Sequence, residues 1–418
     1  MFCVIGKGFG CCVPLINKVI LILMLLCGVH FFGLYHRVGD SLYDVIDLCF
    51  LAVSFVLIVK YFTDGREYCI PRTELIFSKP LGFLFLCLFL SSLSGYFHHG
   101  QFPLSSLLAM RYFSYFLVYI LLVMLEVKKE DIIKLVLVFS AFYMFVFSLQ
   151  ILLFPQAIVP LGNAEGFDRG FLRLRLEGVG FLTLSGFYCL NAYLVDKKRL
   201  VHLAFYVLCF MFVYLLGFRT LLATFLISSI LLVSIYSGTL LKNAVFMLGF
   251  LVFGYVSLQL DSVNLFFFDM LELTMSQVDL GEDYIRMLTF NFLFGEVNAG
   301  VGSIIFGNGM PVSGTEYGRL VLDVGANMLG FISADLGMVG FAFNFGLLSV
   351  LAFLNLFRIG IFKKLPKDSV YLNVFFIYLV ISSVTTAEIY RAGMFVVEAV
   401  GFYLITCVCY NKNKLESV

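Results

Sequence analysis

The chain has 418 residues, 61% of them hydrophobic and 13% charged, with a formal net charge of +1. That composition excludes an ordinary soluble domain and places the chain among polytopic membrane proteins. The formal charge by itself says nothing about nucleic acid, but no basic run long enough to grip a phosphate backbone is present, and no nucleic-acid partner is expected.

Taken in order, apolar runs long enough to cross about 30 Å of hydrocarbon occur near 13–34, 44–62, 80–97, 105–125, 132–154, 179–195, 200–217, 220–236, 241–258, 327–357, 369–386 and 392–410. The expected fold is therefore an all-α polytopic membrane protein of about twelve transmembrane helices, forming one integral membrane domain over 1–418. The first run follows Lys7 and Lys18 and lacks an Ala-x-Ala-like cleavage site, so it is read as a retained signal anchor. With Trp absent, tyrosine must supply most of the interfacial aromatic belt.

Placing the N-terminus inside puts all fifteen lysines, with Arg66, Arg72, Arg199 and Arg358, in cytoplasmic segments, 19 of the 28 basic residues. Both termini are then cytoplasmic. No cysteine falls in an assigned outer loop, so no disulfide framework is indicated, and Cys11-Cys12 and Cys407-x-Cys409 are read as packing residues.

Two outer loops stand out, 155–178 and the large extracytoplasmic loop 259–327. Within the larger one, 263–278 and 283–297 mix Phe, Leu and Met with acids and amides, which suits short helices at the lipid surface. A glycine-rich run from Gly295 to Gly318 lets backbone turn tightly and approach a ligand closely.

All nine basic residues assigned outside are arginines: Arg37, Arg111, Arg169, Arg173, Arg175, Arg219, Arg286, Arg319 and Arg391. A guanidinium is a planar fork that grips phosphate bidentately and keeps its charge at a membrane boundary. A clamp for a phosphorylated lipid is one reading, and pairing with the many outer acids is the other. Arg219 stands in a minimal hairpin between two apolar spans, where a charge is costly without a cavity or partner. Arg111 lies inside its span and could pair with Glu388 or Glu398. Asp47, Arg111, Arg219, Asp335, Glu388, Arg391 and Glu398 all fall in the outer part of their spans. A polar site on one side fits an outward-facing enzyme, whereas an alternating-access transporter places polar groups near the midplane. A carboxylate held near the membrane boundary can have a raised pKa suited to a base, and Glu316, Asp323 and Asp335 flank the glycine-rich run as candidate catalytic carboxylates. No dense Cys/His cluster, nucleotide-binding glycine loop or serine-nucleophile elbow is present.

Three segments resemble the O-antigen polymerase and ligase superfamily of bacterial polysaccharide assembly. Gly217-Phe218-Arg219-Thr220 leading into Leu221-Leu222-Ala223 is similar to its small-Arg-small signature opening a span. Asp283-Tyr284-Ile285-Arg286, followed by Phe306-Gly307-Asn308-Gly309, is similar to its arginine then Gly-x-Gly pattern. Asn327-Met328-Leu329 with Asp335-Leu336-Gly337-Met338-Val339-Gly340 looks like its late Asn-x-x-Leu and Gly-x-x-Gly run. The ligases carry a histidine just before that asparagine, and Gly325-Ala326 stands there instead.

The resemblance implies a polymerase of the bacterial inner membrane, an inverting glycosyltransferase that moves a growing glycan from undecaprenyl pyrophosphate to a lipid-linked repeat unit. Arg219 and Arg286 would hold the pyrophosphate, and Arg169, Arg173, Arg175, Arg111 and Arg319 would add to the grip. Glu316, Asp323 or Asp335 would serve as base. No metal or other cofactor is required, because the lipid pyrophosphate is already activated. The partners implied are the lipid-linked oligosaccharide, membrane lipid and, as a candidate, a chain-length regulator protein. A lipid-linked oligosaccharide flippase and an O-antigen ligase remain as alternatives.

Overall fold

Backbone amides in a hydrocarbon-like interior must be paired within the chain, and sequences this apolar therefore fold into helices. The computed structural model describes residues 15–33, 40–63, 68–154, 156, 176–196, 199–237, 284–384, 386–391 and 393–416, and among them every regular element is helical. The run expected at 241–258, the helix expected at 263–278 and Arg169, Arg173 and Arg175 lie outside the described residues.

The helices are α1 (Leu15–Gly28), α2 (Asp40–Thr63), α3 (Ser78–His99), α4 (Pro103–Ala109), α5 (Val118–Met124), α6 (Lys129–Leu153), α7 (Val179–Val195), α8 (Leu200–Leu215) and α9 (Arg219–Ser237). After the undescribed stretch come α10 (Ile285–Asn291), α11 (Val301–Phe306), α12 (Met338–Phe362), α13 (Tyr371–Ser382) and α14 (Met394–Glu416). Among the described residues five helices are long and apolar enough to cross a membrane: α3, α6, α9, α12 and α14. A sixth span results if α4 and the segment Arg111–Met124 act as one, although they are bent by 61°. The sequence expects one straight span at 105–125. The chain instead folds as α4, a 3-10 segment Arg111–Leu117 and α5. The late span expected from 327 begins only at Met338, because Gly337 takes a left-handed backbone (φ 57°) that stops any helix arriving from its N-terminal side.

α14 runs through the middle and is the most enclosed of the long helices. Phe395 packs between Phe113 and Phe116, and Phe402 stacks flat on Phe376 with ring centroids 5.2 Å apart. Phe376 fits there because Gly360 and Gly401 face it; a Cβ at either would come within 2.9 Å of the ring. Close packing of this kind, rather than exclusion of water, holds helices together in lipid.

Polar contacts gather at the two ends of the bundle. At one, Lys129 Nζ donates to Ser369 Oγ (3.0 Å), Asn191 Nδ2 to the Asp368 carbonyl (2.9 Å), and Tyr236 OH to Asn191 Oδ1 (2.9 Å). The start of α6, the ends of α7 and α9 and the approach to α13 therefore meet, as the lysine distribution requires. The opposite end holds the candidate site.

Candidate functional site

On α2, Asp44 and Asp47 are spaced to share one helix face. Arg111, set by the bend after α4, pairs with Asp44, and its Nε lies 3.3 Å from Asp47 Oδ2. Tyr115 OH donates to Asp47 Oδ1 at 2.6 Å, and His30 Nε2 is 3.3 Å from the same oxygen. Asp47 is fully buried, so these three neighbours offset the cost of taking its charge from water. His30, Phe31 and Phe32 all hold left-handed φ values of 45° to 59°, an unfavourable run for side chains with a Cβ. Packing of Phe32 among Phe139, Phe142 and Tyr143 keeps that turn in place. Arg111 thus finds its partners on α2 and not in Glu388 or Glu398.

A second cluster adjoins the first through Tyr112, which faces Arg111, Asp47, Asp44 and Glu177. Glu388, in the 3-10 turn Glu388–Tyr390 between α13 and α14, is buried, and Arg391 faces both it and Glu177. Burial pushes the Glu388 carboxyl above its usual range against the pull of Arg391, and Glu177 adds to the rise. Gly393, at φ 85°, lets the chain pass Glu177; a Cβ there would sit 2.7 Å from Glu177 Oε2. Glu398 lies about one turn into α14 and faces Glu388. It is fully buried, and neither of its oxygens has a hydrogen-bond partner among the described residues.

Within the glycine-rich run, Gly307 and Gly309 serve backbone packing. Gly307 (φ 94°) and Gly309 (φ 76°) carry the chain from α11 into a break in α12 at Gly346 (φ 81°). The Asn308 amide and its Nδ2 both donate to the Phe343 carbonyl, at 3.1 and 2.9 Å, and the Gly309 amide donates to the Asn344 carbonyl at 2.9 Å. A Cβ at Gly307 would fall 2.5 Å from the Phe345 carbonyl carbon. The close approach that needs glycine is backbone on backbone. His99 Nε2 is 2.8 Å from Asn308 Oδ1, and its ring stacks on Tyr317 at 4.2 Å. Gln101 closes the other side, donating to the Met310 carbonyl (2.6 Å) and accepting from the Val312 amide and Thr315 hydroxyl (3.1 Å each). The loop is thereby fastened to α3, α4 and α12.

Near this anchor in the chain lie five of the ten site residues expected from the sequence, Arg286, Glu316, Arg319, Asp323 and Asp335. Arg286 is on α10, where its guanidinium sits 5.9 Å from the Tyr284 ring. Thr315 caps the next turn by accepting from the Gly318 amide (2.9 Å), which aims Glu316 outward. Arg319 and Asp323 follow on the wide-turned helix Arg319–Met328, and Glu316, Arg319, Asp323 and Asn327 are all exposed. Phe292, Leu293, Val297, Tyr317, Val321, Leu336 and Phe343 form a small core beneath them. Asp335 is exposed in the turn Ser333–Leu336, ahead of α12 rather than within it, and faces Tyr390, whose hydroxyl donates to the Gly337 carbonyl (3.0 Å). Arg219 opens α9 after the left-handed Gly217 (φ 70°) and is partly buried. Among the described residues no ion pair joins Arg286 or Arg319 to Glu316, Asp323 or Asp335.

The structure therefore holds two ionisable clusters, Asp44/Asp47/Arg111/His30/Tyr115 around the buried Asp47 and Glu177/Glu388/Arg391/Glu398 around the buried Glu388 and Glu398, and an exposed layer with Glu316, Arg319 and Asp323. The sequence places Asp47, Glu388, Arg391 and Glu398 on the outer side without assigning them a catalytic or pyrophosphate-binding role, and gives no sign of Glu177. Ionisable residues inside apolar runs are functional candidates by default, and that signal was present for all but Glu177. No metal-binding cluster of His, Cys, Asp or Glu occurs among the described residues. No protein-family model, curated protein or solved structure matches the chain.

Proposed function

We propose that this chain is a polysaccharide polymerase of a bacterial inner membrane, with about twelve spans and both termini on the lysine-bearing, cytoplasmic side. The observation that carries the reading is the one-sidedness of the ionisable groups. Asp47, Arg111, Glu177, Glu388, Arg391 and Glu398 gather at one end, and the helical layer bearing Arg286, Arg319, Glu316 and Asp323 lies over that same end. A donor carried on undecaprenyl pyrophosphate and an acceptor carried on a second lipid would both present their sugars there.

In this reading the acceptor hydroxyl attacks the anomeric carbon from the face opposite the pyrophosphate. The new glycosidic C–O bond forms as the bond to the pyrophosphate oxygen breaks, with inversion. Arg219 and Arg286 hold the departing pyrophosphate, with Arg319 and the second-loop Arg169, Arg173 and Arg175 alongside. The acceptor proton passes to a carboxylate, Glu316, Asp323 or Asp335 in the open layer. Arg111 belongs to the Asp44 and Asp47 ion pairs and is set aside as a substrate ligand.

Replacing Arg219 or Arg286 by alanine should abolish the ladder of polymer lengths in the host while membrane levels of the protein hold. A full ladder from both variants would remove the reading. One observation favours a second function, a lipid-linked oligosaccharide transporter: Glu398 is buried without a partner and α12 is broken at Gly346, both recurrent in transporters. A transporter would leave single units on the cytoplasmic side when Glu398 is replaced by glutamine. The ligase reading lacks the histidine expected ahead of Asn327.

A further inference from the structure

At the lysine end, away from every residue discussed as a site, a groove of about 560 Å³ opens beside the end of α12, lined by Ile76, Arg358, Ile359, Phe362 and Lys363. Its volume is that of small-molecule sites, about 300–1,000 Å³. Its lining divides by chemistry. Ile76, Ile359 and Phe362 are apolar, and Phe362 is 78% exposed, an aromatic ring left for lipid rather than for packing.

Arg358 and Lys363 supply two positive charges, one just before and one just past the end of α12. An anion beside a helix C-terminus is ordinarily disfavoured by the unpaired carbonyls there. Here that objection is reduced, because the two N–H groups of Asn373 Nδ2 are shared among the carbonyls of Gly360 (2.7 Å), Ile361 (3.0 Å) and Lys363 (3.0 Å). The Arg358 guanidinium is held by Asn355 Oδ1, 3.0 Å from Nη2 and 3.2 Å from Nε, which fixes its plane and leaves further donors unused. Neither cation makes an ion pair among the described residues. Around Cys409 nearby, Glu74 stands with Lys363 and Lys412, a set that is net positive.

We propose that this groove binds one anionic phospholipid from the leaflet at the lysine end. Its phosphate lies between Arg358 and Lys363, and an acyl chain runs along Ile76, Ile359 and Phe362. Basic recesses between membrane helices on the cytoplasmic side suit such headgroups, and a juxtamembrane cation near an anionic surface contributes about 1 kcal/mol, or about fivefold in affinity. The inference is independent of the catalytic reading.

The full-length protein, purified in neutral detergent, is titrated with phosphatidylglycerol, with phosphatidylcholine of the same chains, and with glycerol phosphate. Bound lipid is read by native mass spectrometry and thermal unfolding. Phosphatidylglycerol should be retained and should raise Tm, and the double variant Arg358→Gln/Lys363→Gln should bind it about 30-fold more weakly. Lys364→Gln, outside the groove, should bind as the parent does. Equal retention of phosphatidylcholine would overturn the proposal, as would equal stabilisation by free glycerol phosphate, which would mark a water-borne phosphate site. An equal loss in Lys364→Gln would reduce the effect to diffuse charge. Should the double variant fail to fold, Lys363→Gln alone carries the test with a loss of about fivefold, and undiminished binding would refute it.

Discussion

Replacing Arg111 by alanine tests whether this arginine holds the fold or the substrate. Its Nε is 3.3 Å from Asp47 Oδ2, and the Asp47 side chain is 1% exposed, so the substitution leaves a buried carboxylate with only Tyr115 and His30. Breaking a buried pair from one side costs about 3–5 kcal/mol. The second pair, to the half-exposed Asp44, adds at most about 1 kcal/mol. The lower end applies because the Arg111 side chain is itself 20% exposed, giving a loss of about 3 kcal/mol and, at the unfolding entropy of a 418-residue chain, a Tm lower by roughly 3–4 °C. Asp47→Asn removes the charge that needed neutralising, so the double variant should recover about 2 kcal/mol relative to the sum of the single effects. Thermal unfolding in detergent with a thiol-reactive dye measures all three variants. Polymer length in the host, normalised to protein level, should fall only in proportion to the folded amount. Strict additivity, or an unchanged Tm with activity lost, would refute the structural role and return Arg111 to the substrate.

Gly346→Ala forces a Cβ to within 2.4 Å of Gly307 N and Ile305 O at φ 81°, and should cost about 3 kcal/mol and expose the 307–315 loop to limited proteolysis; unchanged protection would mean the loop is not seated in α12. Because burial raises the Glu388 carboxyl above its ordinary 4.5, the folded state binds that proton more tightly than the unfolded chain does, and stability falls as pH rises from about 4.5 through the raised value. Glu388→Gln should flatten that slope in a pH series of Tm values, and an unaltered slope would assign the dependence elsewhere. Cysteines introduced at Asp323 and Lys364, both exposed, should react with a membrane-impermeant thiol reagent from opposite sides, Asp323→Cys alone in intact cells. Labelling of both from one side would invalidate the topology.

Hydropathy alone carried much of the helical layout. The apolar run at 179–195 coincides with α7, and those at 132–154, 220–236 and 392–410 find α6, α9 and α14 within a few residues. Their boundaries were legible because lipid leaves the backbone no other way to pair. The bend between α4 and α5 was not legible, since it answers to the seating of Arg111 against α2, a contact 67 residues away in sequence for Asp44. Nor was the break at Gly346, where backbone from Gly307 to Gly309 enters α12; composition marked those glycines without saying what would approach them. Arginines could be assigned to one end by the absence of lysine there, yet the sharing of Glu177 and Glu388 around Arg391 depends on tertiary packing that no local spacing encodes.

The measurement that bears most directly on the central claim is deletion of the gene in its host, with surface polysaccharide resolved on a gel and lipid-linked intermediates extracted. A polymerase predicts single repeat units at the surface with no ladder, restored by the parent gene and not by Arg219→Ala. Long polymer left on the lipid carrier, or single units trapped on the cytoplasmic side, would contradict it.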